Sequence, residues 1–248
     1  MGHLPSTGVW LAAASIAACA RPAGFPGGDL LEKSSQHVVV VVERENDSTG
    51  TLYRFTREGS AWRQVGGAIP AAVGARGVAK TREGDKKAPT GAYPLPRVFG
   101  YAASRPEGLK MPYLALRPET ECVDDAKSDQ YNRVVNPSDL PKGKTWSSSE
   151  IMRRDLHDHD DLYKLGLLVD YNPDGRKGAG SCIFLHIWRG PAHPTVGCTA
   201  FSEQDMLDLL QWLDPAASPI LVQGTRADLD LLRAAGHLPY DVPRPNLK

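Results

Sequence analysis

Two residues able to do covalent chemistry stand in FLHIWRGPAHPTVGCTAF, residues 184–201: His186 near the end of an apolar run, and Cys198 directly after Gly197. A thiol attacks a carbonyl carbon only as the thiolate, so it needs a base in reach, and imidazole is a common one. Strand alternation puts Cys182, Phe184 and His186 on one face of CIFLHI, with His186 beside the loop WRGPAHPTV. Cys198 lies shortly before Ser202, which opens a helix signal; amides at a helix start favour a thiolate and predict a lowered thiol pKa. Gly197 has no side chain, so a carbonyl substrate can approach the backbone and neighbouring amides can hold an oxyanion. The chemistry implied is acyl transfer. The same two residues also have an ordinary reading as a core cysteine and a structural histidine, and residue type alone leaves both open.

Other candidates are weaker. His193 is closer to Cys198 in sequence but lies in a proline-rich loop, so it reads as rim or substrate contact. Trp188 and Arg189 follow His186 directly and read as groove lining or as packing. His157 and His159 in HDHDD read as a solvated helix end, and no second Cys or His group stands at zinc spacing, so neither metal nor cofactor is expected. Lys86 and Lys87 in GDKKAPTG read as exposed; Asp124, Asp125, Tyr131 and Asn132 read as loop braces.

The elements that must position the pair are mostly strands. His37–Val42 (HVVVVV) is a buried β-branched strand, and Thr51–Thr56 with Ala61–Val65 forms a hairpin. Leu165–Tyr171, Cys182–Ile187 and Pro219–Gln223 are further strands. Ser202 caps a helix over MLDLLQWL, Thr225 opens another that stops near Gly236, and Ser148-Ser149-Glu150 starts a third that ends in HDHDD. Residues 81–147 are rich in Pro and Gly and read as irregular. The fold class is mainly β with a few helices.

The whole chain sets bounds. Its 248 residues suffice for a full core, and 29 basic residues balance 29 acidic ones, so no nucleic-acid partner is expected. Residues 1–19 read as a signal peptide whose Ile16-Ala17-Ala18-Cys19 resembles a lipobox, with Cys19 as the lipidated residue; an ordinary cleavage at Ala18-Cys19-Ala20 is the competing reading. The n-region carries no Lys or Arg, which fits neither well. Residues 20–36 read as a tether, 37–224 as the catalytic domain, and 225–248 as a C-terminal helix and tail. Export implies an oxidising compartment. With Cys19 acylated and Cys198 reactive, Cys122 and Cys182 remain as a pair for a disulfide, against the alternative of two buried free thiols.

IFLHIW and HPTVGCTAF together resemble the signature of the L,D-transpeptidase catalytic domain, the YkuD-like family of bacterial cell-wall enzymes. GVAKTREGDKKAPTGAYPL, residues 77–95, resembles that family's upstream Gly-Asp-x-x-x-Pro-Thr-Gly segment, and CVDDAKSDQYNRVV with YNPDGRKGAGS resembles a subgroup of small exported members. The resemblance spans roughly residues 37–224. It implies an L,D-transpeptidase-like β-sandwich of mixed sheets with helices packed at one side. It implies Cys198 as nucleophile, His186 as base, the Ile187 carbonyl as orienter of the imidazole, and the Gly197 and Cys198 amides as oxyanion donors. Thr195 matches a Ser/Thr position beside the substrate. The implied substrate is a peptidoglycan stem peptide, with an amine, water or a wall-attached protein as the second partner. An L,D-carboxypeptidase or amidase, or an inactive wall-binding lipoprotein, are the other readings. The implied place is the periplasm, with the outer membrane touched only through a lipid anchor. Two departures bear on recognition: Val196 stands where many members have a second histidine, and Thr199-Ala200 offers no arginine.

Overall fold

The computed structural model describes residues 24–244. The signal peptide, Cys19 with its expected lipid, the first part of the tether and residues 245–248 lie outside the described residues. In chain order the strands are β1 (Gln36–Val42), β2 (Thr49–Glu58), β3 (Ala61–Ala72), β4 (Gly91–Pro94), β5 (Val98–Gly100), β6 (Tyr113–Ala115), β7 (Glu121–Val123), β8 (Val134–Val135), β9 (Ser149–Ile151), β10 (Leu165–Leu168), β11 (Phe184–Ile187), β12 (Thr199–Phe201) and β13 (Ile220–Thr225). The helices are α1 (Leu30–Lys33), α2 (Arg154–His157), α3 (Glu203–Trp212) and α4 (Arg226–Ala234).

A continuous β-branched run with no polar alternation has to be covered on both faces. That is where β1 sits, paired in parallel with β13 and antiparallel with β2 as an interior strand, third in a ten-stranded mixed sheet. The order is β4-β13-β1-β2-β3-β12-β11-β10-β5-β6. Val38, Val40 and Val42 enter one core cluster together with Leu185 and Leu209, so strands from both halves of the curled sheet and α3 share it. Val39 and Val41 enter a second cluster with Tyr53, Leu229 and Leu232, under α4. Tyr240 stacks on Phe55 at 3.9 Å and meets His37 Nδ1 through its hydroxyl at 2.5 Å, which ties the C-terminal segment to β1.

The mainly β expectation holds, and the core strands and both long helices lie where periodicity put them. Ser202 Oγ accepts the Asp205 amide to cap α3, and Thr225 with Asp228 forms a reciprocal capping box on α4. Three local expectations need correction. Residues 81–147 are not strandless: they contain β4 to β8, each of two to four residues, too short to show a period. Ser149 and Glu150 belong to a strand, not to a helix start, because β9 pairs with β7 with Glu150 opposite Cys122; the helix is the short α2. Cys182 lies just before β11, with φ of +55°.

Candidate active site

β11 and β12 run parallel, with Leu185 opposite Thr199 and His186 opposite Ala200. Cys198 therefore comes beside Phe184, one strand across and two residues along from His186. That step separates the two Cα atoms by about 8 Å, a span their side chains can close from one face. The alternation read from CIFLHI places these groups correctly: Phe184 and Cys182 share a cluster with Cys198, while Ile183, Leu185 and Ile187 face the main core. Cys198 is 5% exposed. Its Sγ accepts the Phe184 amide at 3.3 Å and donates to the Cys182 carbonyl at 3.4 Å. A carbonyl only accepts, so this contact favours the protonated thiol.

The expectation of a lowered thiol pKa is overturned. β12 separates Cys198 from the start of α3, so the helix amides are remote. Burial instead pushes the thiol up, reinforced by Glu150; the Phe184 amide and Lys80 pull the other way. His186, 7% exposed, is held down to about 4 by burial, against the raising effect of its bond to Ile187. Its Nδ1 lies 2.8 Å from the Ile187 carbonyl, so Nδ1 carries the proton and Nε2 keeps its lone pair. Tyr163 meets the imidazole edge-on at 5.3 Å between centroids. The resting pair is a thiol and a neutral imidazole.

The turn before Cys198 is fixed from within. Thr195 Oγ1 donates to the Cys198 carbonyl at 2.6 Å and accepts the Gly197 amide at 3.1 Å. Thr195 thus shapes the turn with the hydroxyl expected to meet substrate, and Gly197's amide is occupied rather than free for an oxyanion. Gly197 has φ of +153°, and a Cβ there would lie 3.2 Å from the Lys87 carbonyl, so both conformation and space call for glycine.

Two cavities meet at Cys198. The larger, about 350 Å³, is lined by His186, Cys198, Trp188, Arg189, His193 and Thr195, with Tyr163 and Arg154 behind them. The smaller, about 90 Å³, is polar and is lined by Lys80, Glu83, Asp124, Glu150, Ser181 and Cys198. Val196, 71% exposed, borders both. A separate apolar hollow, about 210 Å³, is lined by Pro94, Met111 and Ile220 and holds none of the candidate residues. A family model for the L,D-transpeptidase catalytic domain (YkuD) matches residues 36–222. The chain belongs to the L,D-transpeptidase catalytic-domain family. Among solved structures, one of Bdellovibrio bacteriovorus Bd1075 is similar, at 14% identity and a TM-score of 0.40, over 83% of this chain and 57% of that chain. The chain thus spans just over half the length of that protein. No curated protein matches it.

The family's chemistry is L,D-transpeptidase-type catalysis on peptidoglycan stem peptides, typically dependent on a cysteine. In this YkuD domain Trp188 is half-buried against the core, Arg189 is exposed and bonded to Asp160 at 3.0 Å, and His193 is exposed at the rim. Cys122 and Cys182 are joined by a disulfide, and Cys198 is the free cysteine among the described residues. His157 and His159 are exposed, and no group of three metal-ligating side chains occurs among the described residues. Asn132 braces its loop by donating to the Tyr171 and Asn172 carbonyls, each at 2.8 Å.

Four residues at the site escaped the sequence reading. Glu150 lines both cavities, its carboxyl raised by desolvation and bonded by the Tyr163 hydroxyl. Lys80 and Asp85 form a buried pair beside Gly197. Only the short Lys80–Asp85 spacing around Gly84 could have signalled any of this. Glu150 and Tyr163 come from segments with no local mark of a site.

The buried histidines make stability fall in mild acid. Burial holds His37 down to about 3 and His186 to about 4, both below the ordinary 6.5. Above 6.5 neither folded nor unfolded chain binds these protons; below it only the unfolded chain does, so stability declines as pH falls. At about pH 5 the loss is about 2 kcal/mol for each histidine. Glu150 and Asp170, raised by desolvation, act in the opposite sense, while Asp85 and Asp160, held near 2, matter only in stronger acid. Urea midpoints at about pH 7 and pH 5 should differ accordingly. Equal midpoints would count against neutral imidazoles in the fold.

Proposed function

We propose that this protein is an exported, lipid-anchored cysteine acyltransferase of the L,D-transpeptidase type, acting on peptidoglycan stem tetrapeptides in the periplasm. The observation that carries the reading is that Cys198 and His186 open into one cavity, with Nε2 of a neutral imidazole available as base. Substrate binding brings the attacked carbonyl, on the L-configured centre of the third residue, over Sγ. The thiol proton passes to His186 Nε2 as sulfur attacks, and the Cys198 amide supports the oxyanion. Collapse releases terminal D-alanine, whose amine takes the proton from His186. The acyl group then rests on sulfur as a thioester. An acceptor amine, from a second stem or a wall-attached protein, gives its proton to His186 and displaces the thiolate.

A second reading rests on Val196 and Thr199-Ala200. An exposed valine stands where many members carry histidine, and no arginine follows the cysteine. With the acceptor side so changed, water takes the amine's place, and the enzyme trims stems as an L,D-carboxypeptidase or amidase. Carbapenems acylate this family's cysteine, which gives a direct test. Incubation with a carbapenem should add one adduct mass to the protein, mapped to Cys198 and absent in Cys198→Ala. Purified muropeptides then separate cross-linking from hydrolysis. No adduct on reduced Cys198 would favour an inactive wall-binding lipoprotein instead.

A further inference from the structure

Lys80 is a buried cation placed where the family reading of Cys198 and His186 assigns nothing. Its side chain is 3% exposed, and its ammonium bonds Asp85 Oδ1 at 3.0 Å. Asp85 is also held from the backbone. The amides of Thr81, Arg82 and Lys87 reach the same carboxylate at 2.8, 3.1 and 3.0 Å. Despite its desolvation, these bonds and the lysine hold Asp85 down to about 2. The carboxylate is therefore a fixed anchor, and the lysine is what it positions.

The rest of the lysine runs toward the Gly197-Cys198 turn. Its stem crosses Gly180, where a Cβ would lie 2.3 Å from Lys80 Cε. Its ammonium ends 3.6 Å from the point where a Cβ on Gly197 would stand, and it lines the small cavity with Cys198. An ammonium has three protons, and one has a partner here. Burying an ion pair is expensive, and an apolar pair of similar volume would often hold such a loop as well. A buried cation beside a thiol does something an apolar pair cannot: it favours sulfur's charged form.

We propose that Lys80, fixed by Asp85, is an electrostatic positioning residue that lowers the energy of the Cys198 thiolate as His186 removes its proton. The other groups facing the sulfur do not supply this charge. His186 on β11 and Tyr163 before β10 are neutral, and Glu150 on β9 is raised toward its neutral form. Glu83 accepts from the Tyr131 and Ser181 hydroxyls, Asp124 from Ser148, and Arg154 on α2 is paired with Asp160. The proposal rests on Cys198 being the nucleophile, not on which acceptor it serves.

The test is the rate at which iodoacetamide alkylates Cys198 in the full chain as pH rises, read from the mass of the Cys198 peptide. Sulfur displaces iodide only as thiolate, so the rate tracks thiolate fraction and needs no wall substrate. In Lys80→Met the thiol pKa should rise by about one unit, so the rate at a given pH falls about tenfold and the whole pH line shifts upward. Lys80→Arg should restore most of it. Lys80→Gln, which can still bond Asp85 but carries no charge, should shift the line upward as Lys80→Met does. A folded Lys80→Met whose line superimposes on that of the wild type, even with a lower melting temperature, would make Lys80 merely structural. If Lys80→Met does not fold, a Lys80→Gln line that superimposes on that of the wild type overturns the proposal. Loss of muropeptide turnover with the alkylation pattern intact would refute the proposed function and leave this inference standing.

Discussion

His186→Gln should slow acylation of Cys198 by a carbapenem by about three orders of magnitude, within the range for loss of a general base. The reason lies in the resting state. Burial keeps the thiol protonated and the imidazole neutral, so acylation requires proton transfer at the moment of attack. Glutamine keeps a polar side chain in the cavity and can still donate to the Ile187 carbonyl, but it has no lone pair on nitrogen to take a proton. Mass spectrometry of adduct growth measures the rate. Circular dichroism checks that the fold is unchanged, and alkylation in strong base should proceed as in the wild type. A loss smaller than tenfold would mean that another base serves Cys198. His193, exposed on the rim of the same cavity, would be the first to replace.

Breaking the Cys122–Cys182 bond should cost about 4 kcal/mol, the chain-entropy value for a loop with a sequence separation of 60. For a protein of this size that lowers the melting temperature by about 10 °C. The bond joins β7 of the small sheet to the segment entering β11, and neither is held strongly by its own short ladder. The effect should extend to the chemistry. Cys182 is also the residue whose carbonyl accepts the Cys198 thiol proton, and it holds a left-handed conformation unusual for a side chain with a Cβ. Calorimetry of the Cys122→Ala, Cys182→Ala double variant should therefore show the lower transition, with slower acylation at temperatures where the variant is still folded. An unchanged melting temperature would show that the rest of the fold already fixes this loop.

How much of this was legible in the sequence depended on how far each signal reached along the chain. β1, β11 and β13 announce themselves as apolar runs, and α3 and α4 by cap residues followed by helical spacing, because those signals are local. The His186–Cys198 pair was visible because β11 and the Gly197-Cys198 turn leading into its parallel neighbour β12 are close in sequence as well as in space. The middle of the chain was not. β7, β8 and β9 exist because they pair with one another, and Glu150 joins a strand since Cys122 lies opposite it. A Ser-Ser-Glu run carries a helix signal, and the pairing overrode it. The thiol's environment was misread for a related reason: distance to Ser202 along the chain suggested a helix end, while three residues of strand carried Cys198 away from it. Lys80, Glu150 and Tyr163 converge from three separate segments, and only the folded chain brings them to one sulfur.

The pairing of β1 with β13 has a consequence for how this molecule comes into being. His37 lies opposite Ile220, so a strand made among the first must wait for one made near residue 220. Contacts so distant in sequence form slowly, since chain closure precedes any gain from pairing. Until then β1 can pair with β2 on one side only. The valine run that is interior in the finished sheet is, in the unfinished chain, an open apolar edge of the kind that recruits strands from other molecules. Yield on refolding should thus be governed less by the stability of the final fold than by what shields those valines in the interval.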